Sequence, residues 1–228
     1  MANRIFWAGD STVKHNHIDT YPQTGIGQVF NLYTKPEIII CNHAENGRST
    51  KSFIEEGRLE EINQLIGEED FLFIQFGHND EKEDEERHTD PFTSYIDNLK
   101  KYIKAARDHH AYPVLITPLY RRLFTKEGIL EENVHLRYPA AMIALADEMN
   151  IPCLDLCERS RELLSETGAE QSVKWFMNLK QGECDNYPEG LEDNTHLRVE
   201  GAVVMAGLVA RELKALGGIY SCLVLEEV

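Results

Sequence analysis

The sequence predicts an α/β fold, a three-layer α/β/α sandwich around a five-stranded parallel sheet. Three observations predict it. Short apolar segments alternate with longer segments of helical periodicity along the chain. The apolar segments are nearly uninterrupted, which suits strands buried on both faces, as in a parallel sheet. Strand alternating with helix implies right-handed crossovers that lay helices on both sides of the sheet.

The predicted strands are Arg4–Ala8, Glu37–Cys41, Phe71–Phe76, Pro113–Thr117 and Pro152–Asp155. Each is rich in β-branched or aromatic residues, and polar or turn residues follow it. Ser52–Ile66 has Phe53, Ile54, Leu59, Ile62, Leu65 and Ile66 mostly at helical spacing. A second helix is predicted over Pro91–His110, with Asp90 as N-cap and Pro91 at the first helical position. Its apolar set, Tyr95, Ile96, Leu99, Tyr102, Ile103 and Ala106, follows the i, i+3, i+4, i+7 pattern. Tyr138–Met149 and Arg198–Leu216 are also helical, and Gly217-Gly218 stops the latter. Leu156–Thr167 is a shorter helix. The apolar tail Ile219–Val228 fits an edge strand, a packing arm or the contact of a homodimer.

The chain has 228 residues, 42% hydrophobic and 27% charged, as expected of a soluble globular protein. It lacks the uninterrupted apolar run of roughly 18 residues that a membrane helix needs. The length admits one large domain or two small ones. Lys+Arg is 23 against Asp+Glu 39, a net charge of −16. That excludes a nucleic-acid backbone or an anionic membrane as the main partner, since both need cationic footprints. It is compatible with a small anionic substrate held by a few local arginines. The five cysteines, Cys41, Cys153, Cys157, Cys184 and Cys222, cannot all pair. Met1-Ala2-Asn3-Arg4 leads into a five-residue apolar stretch with no cleavage site, so no signal peptide is read and the cytoplasm is expected.

In an open α/β sheet, ligands bind beyond the carboxyl ends of the strands. Gly9-Asp10-Ser11-Thr12 follows the first strand, and Asn46-Gly47-Arg48-Ser49 lies after the second. Gly77-His78-Asn79-Asp80 follows the third, and Pro118 to Arg122 the fourth. Asp193-Asn194-Thr195-His196 precedes the last helix. Singly, each reads as a turn or a cap. Together they supply what acyl transfer needs: a nucleophile, a base, an orienter for the base, and donors aimed at an oxyanion. Ser11 is the candidate nucleophile, His196 the base and Asp193 its orienter. The backbone N–H groups of Ser11 and Gly47 and the Asn79 amide are the candidate oxyanion donors. Asp10 neighbours Ser11, but adjacent residues at a strand end point apart, so it is read as ordering the loop. His78 is given the same task around Asn79. Arg48, Arg121 and Arg122 are candidates for a substrate carboxylate, which Arg recognises bidentately, with structural salt bridges as the alternative.

Other features are read as bland. The run Asp80–Glu86 holds six carboxylates around Lys82, but it has no Gly to turn them onto a metal, so a solvated loop is expected. His15-x-His17 lacks an obvious third ligand. No metal or cofactor is expected. Cys153-x-x-x-Cys157 lacks the Cys-x-x-Cys redox pattern. Trp175, Phe176 and Met177 fit a core patch or a sugar-stacking wall.

The order and spacing of Gly9-Asp10-Ser11, Asn46-Gly47, Gly77-His78-Asn79-Asp80 and Asp193-x-x-His196 resemble the blocks of the SGNH (GDSL-type) hydrolase superfamily. The match spans Ile5 to about His196, which favours a single domain over residues 1–228. Gly47-Arg48-Ser49-Thr50-x-Ser52-Phe53, Gln75 to Asp80 and Thr117-Pro118-x-x-Arg121-Arg122-x-Phe124 look most like rhamnogalacturonan acetylesterases. The resemblance implies a flavodoxin-like sheet, metal-free esterase chemistry and an acetylated pectic substrate. Fungal members of that family are secreted, whereas no signal peptide is read here, so an imported acetylated oligosaccharide is the expected substrate. Acetyl-xylan, a lipid ester or a thioester are alternative substrates. A non-catalytic flavodoxin-like binding module is the alternative class, though the Gly-rich phosphate loop after the first strand is missing.

Overall fold

A computed structural model describes residues 3–228. Met1 and Ala2, where the reading of the N-terminus begins, lie outside the described residues. The strands are β1 (Arg4–Gly9), β2 (Ile39–Asn42), β3 (Phe71–Gln75), β4 (Tyr112–Ile116) and β5 (Cys153–Leu154). They form one sheet in the order β2-β1-β3-β4-β5, and every pairing is parallel. The helices are α1 (Ile26–Val29), α2 (Thr50–Glu55), α3 (Arg58–Leu65), α4 (Ser94–Asp108), α5 (Tyr138–Met149), α6 (Leu156–Ser172), α7 (Val199–Leu216) and α8 (Gly218–Ser221). The three-layer α/β/α sandwich with its five-stranded parallel sheet is therefore as predicted.

The period of two along each strand sorts the core into its two halves. Ile5, Trp7, Phe71, Phe73, Val114 and Ile116 face one side, where Ile26, Leu164, Met205 and Val209 from α1, α6 and α7 cover them. Phe6, Ala8, Leu72, Ile74 and Leu115 face the other, under Phe53, Ile62, Leu99, Tyr102 and Leu145 from α2 to α5. Both faces are dry, so the strands read as unbroken apolar runs. The carboxyl end of the sheet is the edge left open to loops.

The main departures from expectation each have a structural reason. The helix predicted over Ser52–Ile66 is two helices, because Gly57 at φ 79° turns the chain between α2 and α3. The helix predicted from Pro91 begins at Ser94. Asp90 closes a turn instead of capping: its Oδ1 accepts from Phe92 N, and its backbone O from Thr93 N and Tyr95 N. β2 begins two residues later than predicted, at Ile39, and runs along the sheet's edge, where Ile39 is half exposed. The tail adds no strand. It turns through α8 and packs back on its own chain, burying Leu223 and Val224 and pairing Val224 with Thr34.

Trp175, Phe176 and Met177 are all buried, so all three belong to the core. The acidic run also departs from the solvated loop expected of it. Asp80 is fully buried and accepts from Thr50 N, Thr50 Oγ1 and Thr89 Oγ1, while Glu83 to Glu86 are exposed.

Because the tail fills core space, Leu223→Ala should cost about 2–5 kcal/mol, the usual cost of a buried Leu deletion. Urea unfolding followed by circular dichroism measures it. A loss within about 0.5 kcal/mol, as for a surface site, would mean that the tail does not stabilise the fold.

Candidate active site

At the carboxyl end of β1 the chain turns on Asp10. The Asp10 carbonyl accepts from Val13 N and Lys14 N, and its carboxylate Oδ1 accepts from Thr12 N at 2.9 Å and Thr12 Oγ1 at 2.8 Å. Asp10 is fully buried, and burial raises its pKa. The side chain folds inward and leaves Ser11 at the lip of the sheet.

The Ser11 hydroxyl meets His196 Nε2 at 2.8 Å, and His196 Nδ1 meets Asp193 Oδ2 at 2.6 Å. Burial alone would raise the Asp193 pKa. The contact with His196 and the N–H groups of His196 and Thr195 more than offset it and hold Asp193 below its ordinary value. An ionised carboxylate can only accept, so it fixes the imidazole proton on Nδ1 and leaves the Nε2 lone pair for the serine O–H. The other oxygen, Asp193 Oδ1, accepts from Thr195 N at 2.8 Å and His196 N at 3.0 Å. The offset of three residues thus closes an Asx turn that holds acid and base in register.

That corner is clamped from behind. Arg122 donates its backbone N–H to the Asn194 carbonyl and its Nη1 to Asn194 Oδ1 at 2.8 Å. Arg122 Nε donates to Ser172 Oγ, and Nη2 donates to the Ala169 carbonyl. Asn178 Nδ2 adds bonds to Asn194 Oδ1 and the Asp193 carbonyl. Burial lowers the Arg122 pKa from its ordinary value.

Gly47 and Asn79 reach the same cleft from the loops after β2 and β3, and the cleft encloses about 610 Å³. Gly47 adopts φ 75°, a left-handed conformation that suits glycine, and a Cβ there would meet nothing within 4 Å. Among the described residues, no protein acceptor takes the N–H of Ser11 or of Gly47. Asn79 spends one amide hydrogen on the Arg48 carbonyl at 3.1 Å, which leaves its second donor for the cleft. Three donors at this cleft, the N–H groups of Ser11 and Gly47 and one amide hydrogen of Asn79, therefore stand without a protein partner among the described residues.

The three candidate arginines part company. Arg121 lines the cleft, ion-paired with Glu81 and donating to the His78 carbonyl. Arg48 turns away to Glu56 and the Asn46 carbonyl and borders a neighbouring hollow. Arg122 is the clamp just described, and its guanidinium does not reach the cleft. His78 is buried and neutral, its pKa held well below the ordinary histidine value by burial and by nearby cations. It packs edge-on against His135 with ring centroids 4.5 Å apart. His15 and His17 are exposed. Gln23, Lys82, Arg87 and Thr195 also line the cleft. The sequence gives no signal for Gln23, Lys82 or Arg87 here: Lys82 is hidden inside the acidic run, Arg87 directly follows it, and Gln23 lies in an irregular segment with no motif.

A serine–histidine–aspartate relay with free N–H donors at the carboxyl end of a parallel sheet defines the class as an ester hydrolase. Residues 5–209 match the GDSL-like lipase/acylhydrolase family, and the chain belongs to that family. Two Bacillus subtilis relatives are similar over most of their length. Rhamnogalacturonan acetylesterase RhgT is 41% identical, covering 94% of this chain and 90% of its own. Probable rhamnogalacturonan acetylesterase YesY is 42% identical, covering 95% of each. The crystal structure of Bacillus subtilis YxiM superposes with a TM-score of 0.79 at 26% identity. That match covers 95% of this chain but only 57% of the YxiM chain. Axe2, an acetylxylan esterase from Geobacillus stearothermophilus, has the same fold at a TM-score of 0.63 and 16% identity, over 92% of this chain and 93% of its own.

Removing the clamp should loosen the Asp193–His196 corner without touching the cleft. Arg122→Ala should lower kcat on an aryl acetate on the order of 10- to 100-fold, the effect of a small misplacement of catalytic groups, with KM little changed. Steady-state kinetics on variant protein with a preserved melting transition measures the split. A rise in KM at unchanged kcat would make Arg122 a substrate ligand instead.

Proposed function

We propose that the chain is a serine carbohydrate esterase that removes O-acetyl groups from pectic, rhamnogalacturonan-type oligosaccharides through an acetyl-enzyme on Ser11. The single observation that carries the chemistry is the 2.8 Å contact of Ser11 Oγ with His196 Nε2 in a cleft that Gly47 and Asn79 also line. The substrate class is supported by the two long relatives named rhamnogalacturonan acetylesterases.

In this reading His196 Nε2 takes the Ser11 proton as Oγ attacks the acetyl carbonyl. The carbonyl π bond opens onto oxygen, and the oxyanion accepts from Ser11 N, Gly47 N and Asn79 Nδ2. The tetrahedral intermediate collapses by breaking the bond to the sugar oxygen, which takes the proton from His196. Water then attacks the acetyl-enzyme, giving a proton to His196, and Ser11 leaves with that proton as acetate is released. Asp193 stays ionised throughout and stabilises the transient imidazolium. Of the three arginines, substrate contact is assigned to Arg121, which lines the cleft. A single domain carries the whole site in this proposal. A reducing compartment is part of it too, supported by five thiols that stand unpaired.

Acetate release from acetylated rhamnogalacturonan oligosaccharides, with acetylated xylan oligosaccharides in parallel, tests the substrate. The pectic set should be preferred, and Ser11→Ala should abolish release in both. Asn79→Ala should lower turnover about 10²–10³-fold, as loss of one oxyanion donor does. Release from the xylan set alone would overturn the substrate, and an active Ser11→Ala would overturn the mechanism.

A further inference from the structure

The side chains that line the cleft are weighted toward cations, although the molecule as a whole is acidic. The chain as a whole is at −16, yet Lys82, Arg87 and Arg121 line the cleft, and Asp193 is the one carboxylate among the described residues lining it. The Asp193 charge is committed to His196. Two of the three cations are compensated locally, Arg121 by Glu81 and Arg87 by Asp84 at 2.6 Å. Lys82 is different. Among the described residues its ammonium has no carboxylate within ion-pair distance and no hydrogen-bond acceptor. Its acidic neighbours Glu83, Glu85 and Glu86 are exposed, while Lys82 itself is half-buried.

The turn that carries Lys82 is rigidly held. Lys82 N donates to the Asn79 carbonyl at 3.1 Å, so a single turn joins this cation to the amide that faces the ester. Asp80 anchors the turn from below through Thr50 and Thr89. Glu81 anchors it through Arg121, with His135 Nδ1 at 3.4 Å. The two buried acids of the run thus fix the loop, its exposed acids stay in solvent, and its one lysine is left over in the cleft. A half-buried cation carried on a fixed turn beside the oxyanion donors and lacking its own counter-ion is suited to receive an anionic group on the molecule that binds there. The long, compact ammonium demands charge and proximity but no planar geometry.

We propose that Lys82 is a specificity-determining residue that pairs with a carboxylate of the substrate, so that the enzyme prefers acetyl esters carried on or beside a uronate. The proposal rests on the acetylesterase reading above and deepens it. The carboxylate sits on the Asn79 side of the ester, and Arg121 borders the same cleft with its charge already shared with Glu81.

The test compares acetyl esters of galacturonate oligosaccharides with the same compounds after methyl esterification of their carboxylates. 4-Acetoxybenzoate and its methyl ester form a second pair without sugar. The readout is the ratio of kcat/KM for the free over the masked carboxylate. In the wild-type enzyme the ratio should be about tenfold, the size of one charge-assisted contact. Lys82→Gln should bring it close to one, and Lys82→Arg should keep most of it. A Lys82→Gln ratio equal to that of wild type, or an equal loss on both members of each pair, would overturn the role of Lys82. If the wild-type enzyme leaves the sugar esters intact but hydrolyses the aryl pair with a preference that depends on Lys82, the carboxylate site stands and the pectic substrate falls.

Discussion

The hydrogen bond between Ser11 and His196 joins residues 185 positions apart, and the chemistry of the cleft depends on it. Neither partner can find the other through local structure. The sheet brings them together. β1 lies between β2 and β3, and the chain crosses from one side of β1 to the other between β2 and β3. That reversal opens a crevice at the carboxyl ends, as in other doubly wound sheets. Ser11 and Asn79 follow the paired strands β1 and β3, whose register sets Gly9 beside Gln75. His196 comes from a separate corner between the buried Trp175–Met177 segment and α7. Met177 N donates to the His196 carbonyl, Arg198 N donates to the Trp175 carbonyl, and Arg122 grips Asn194. The precision of the contact is therefore a property of three packed pieces of the fold rather than of a loop.

The electrostatics follow a similar division of labour. A net charge of −16 repels an anionic substrate at long range. Screening confines that repulsion to about 8 Å at physiological salt. Inside the cleft the lining is weighted toward cations instead, since the carboxylates of the Asp80–Glu86 run are either buried as anchors or exposed on the rim. Asp80 illustrates the first use. Burial pushes its pKa up to about 7 despite the donors from Thr50 and Thr89 that oppose the rise. An acid in such a place costs stability once ionised, and here its bonds to Thr50 and Thr89 fix the turn that carries Asn79.

The fold was legible because both faces of the sheet are dry, so each strand stands out as a short unbroken apolar run between polar ends. α5 begins and ends where its periodicity does, and the start of α7 is displaced by only one residue, because Arg198 takes the N-cap position. Local backbone chemistry decided the misses. Apolar periodicity continues straight through Gly57 and hides the left-handed turn there. Asp90-Pro91 carries a cap signal, but its backbone and side chain close a turn first. The tail's apolarity marks burial without saying against what. In the site, Ser11, Gly47, Asn79, Asp193 and His196 could be read because each occupies a strand end or a helix entry, and the structure brings all five to one cleft. Arg48, Arg121 and Arg122 could not be told apart, since adjacent residues after a strand point in different directions. Lys82 was invisible, because its role depends on where its acidic neighbours turn.

The most direct measurement is the site of covalent capture by a serine-directed phosphonate. Intact-protein mass and peptide mapping should show one adduct per chain, on Ser11, formed far more slowly in His196→Ala although the hydroxyl is still present. No adduct at Ser11, or capture at the same rate without His196, would contradict the nucleophile–base pair on which the account stands.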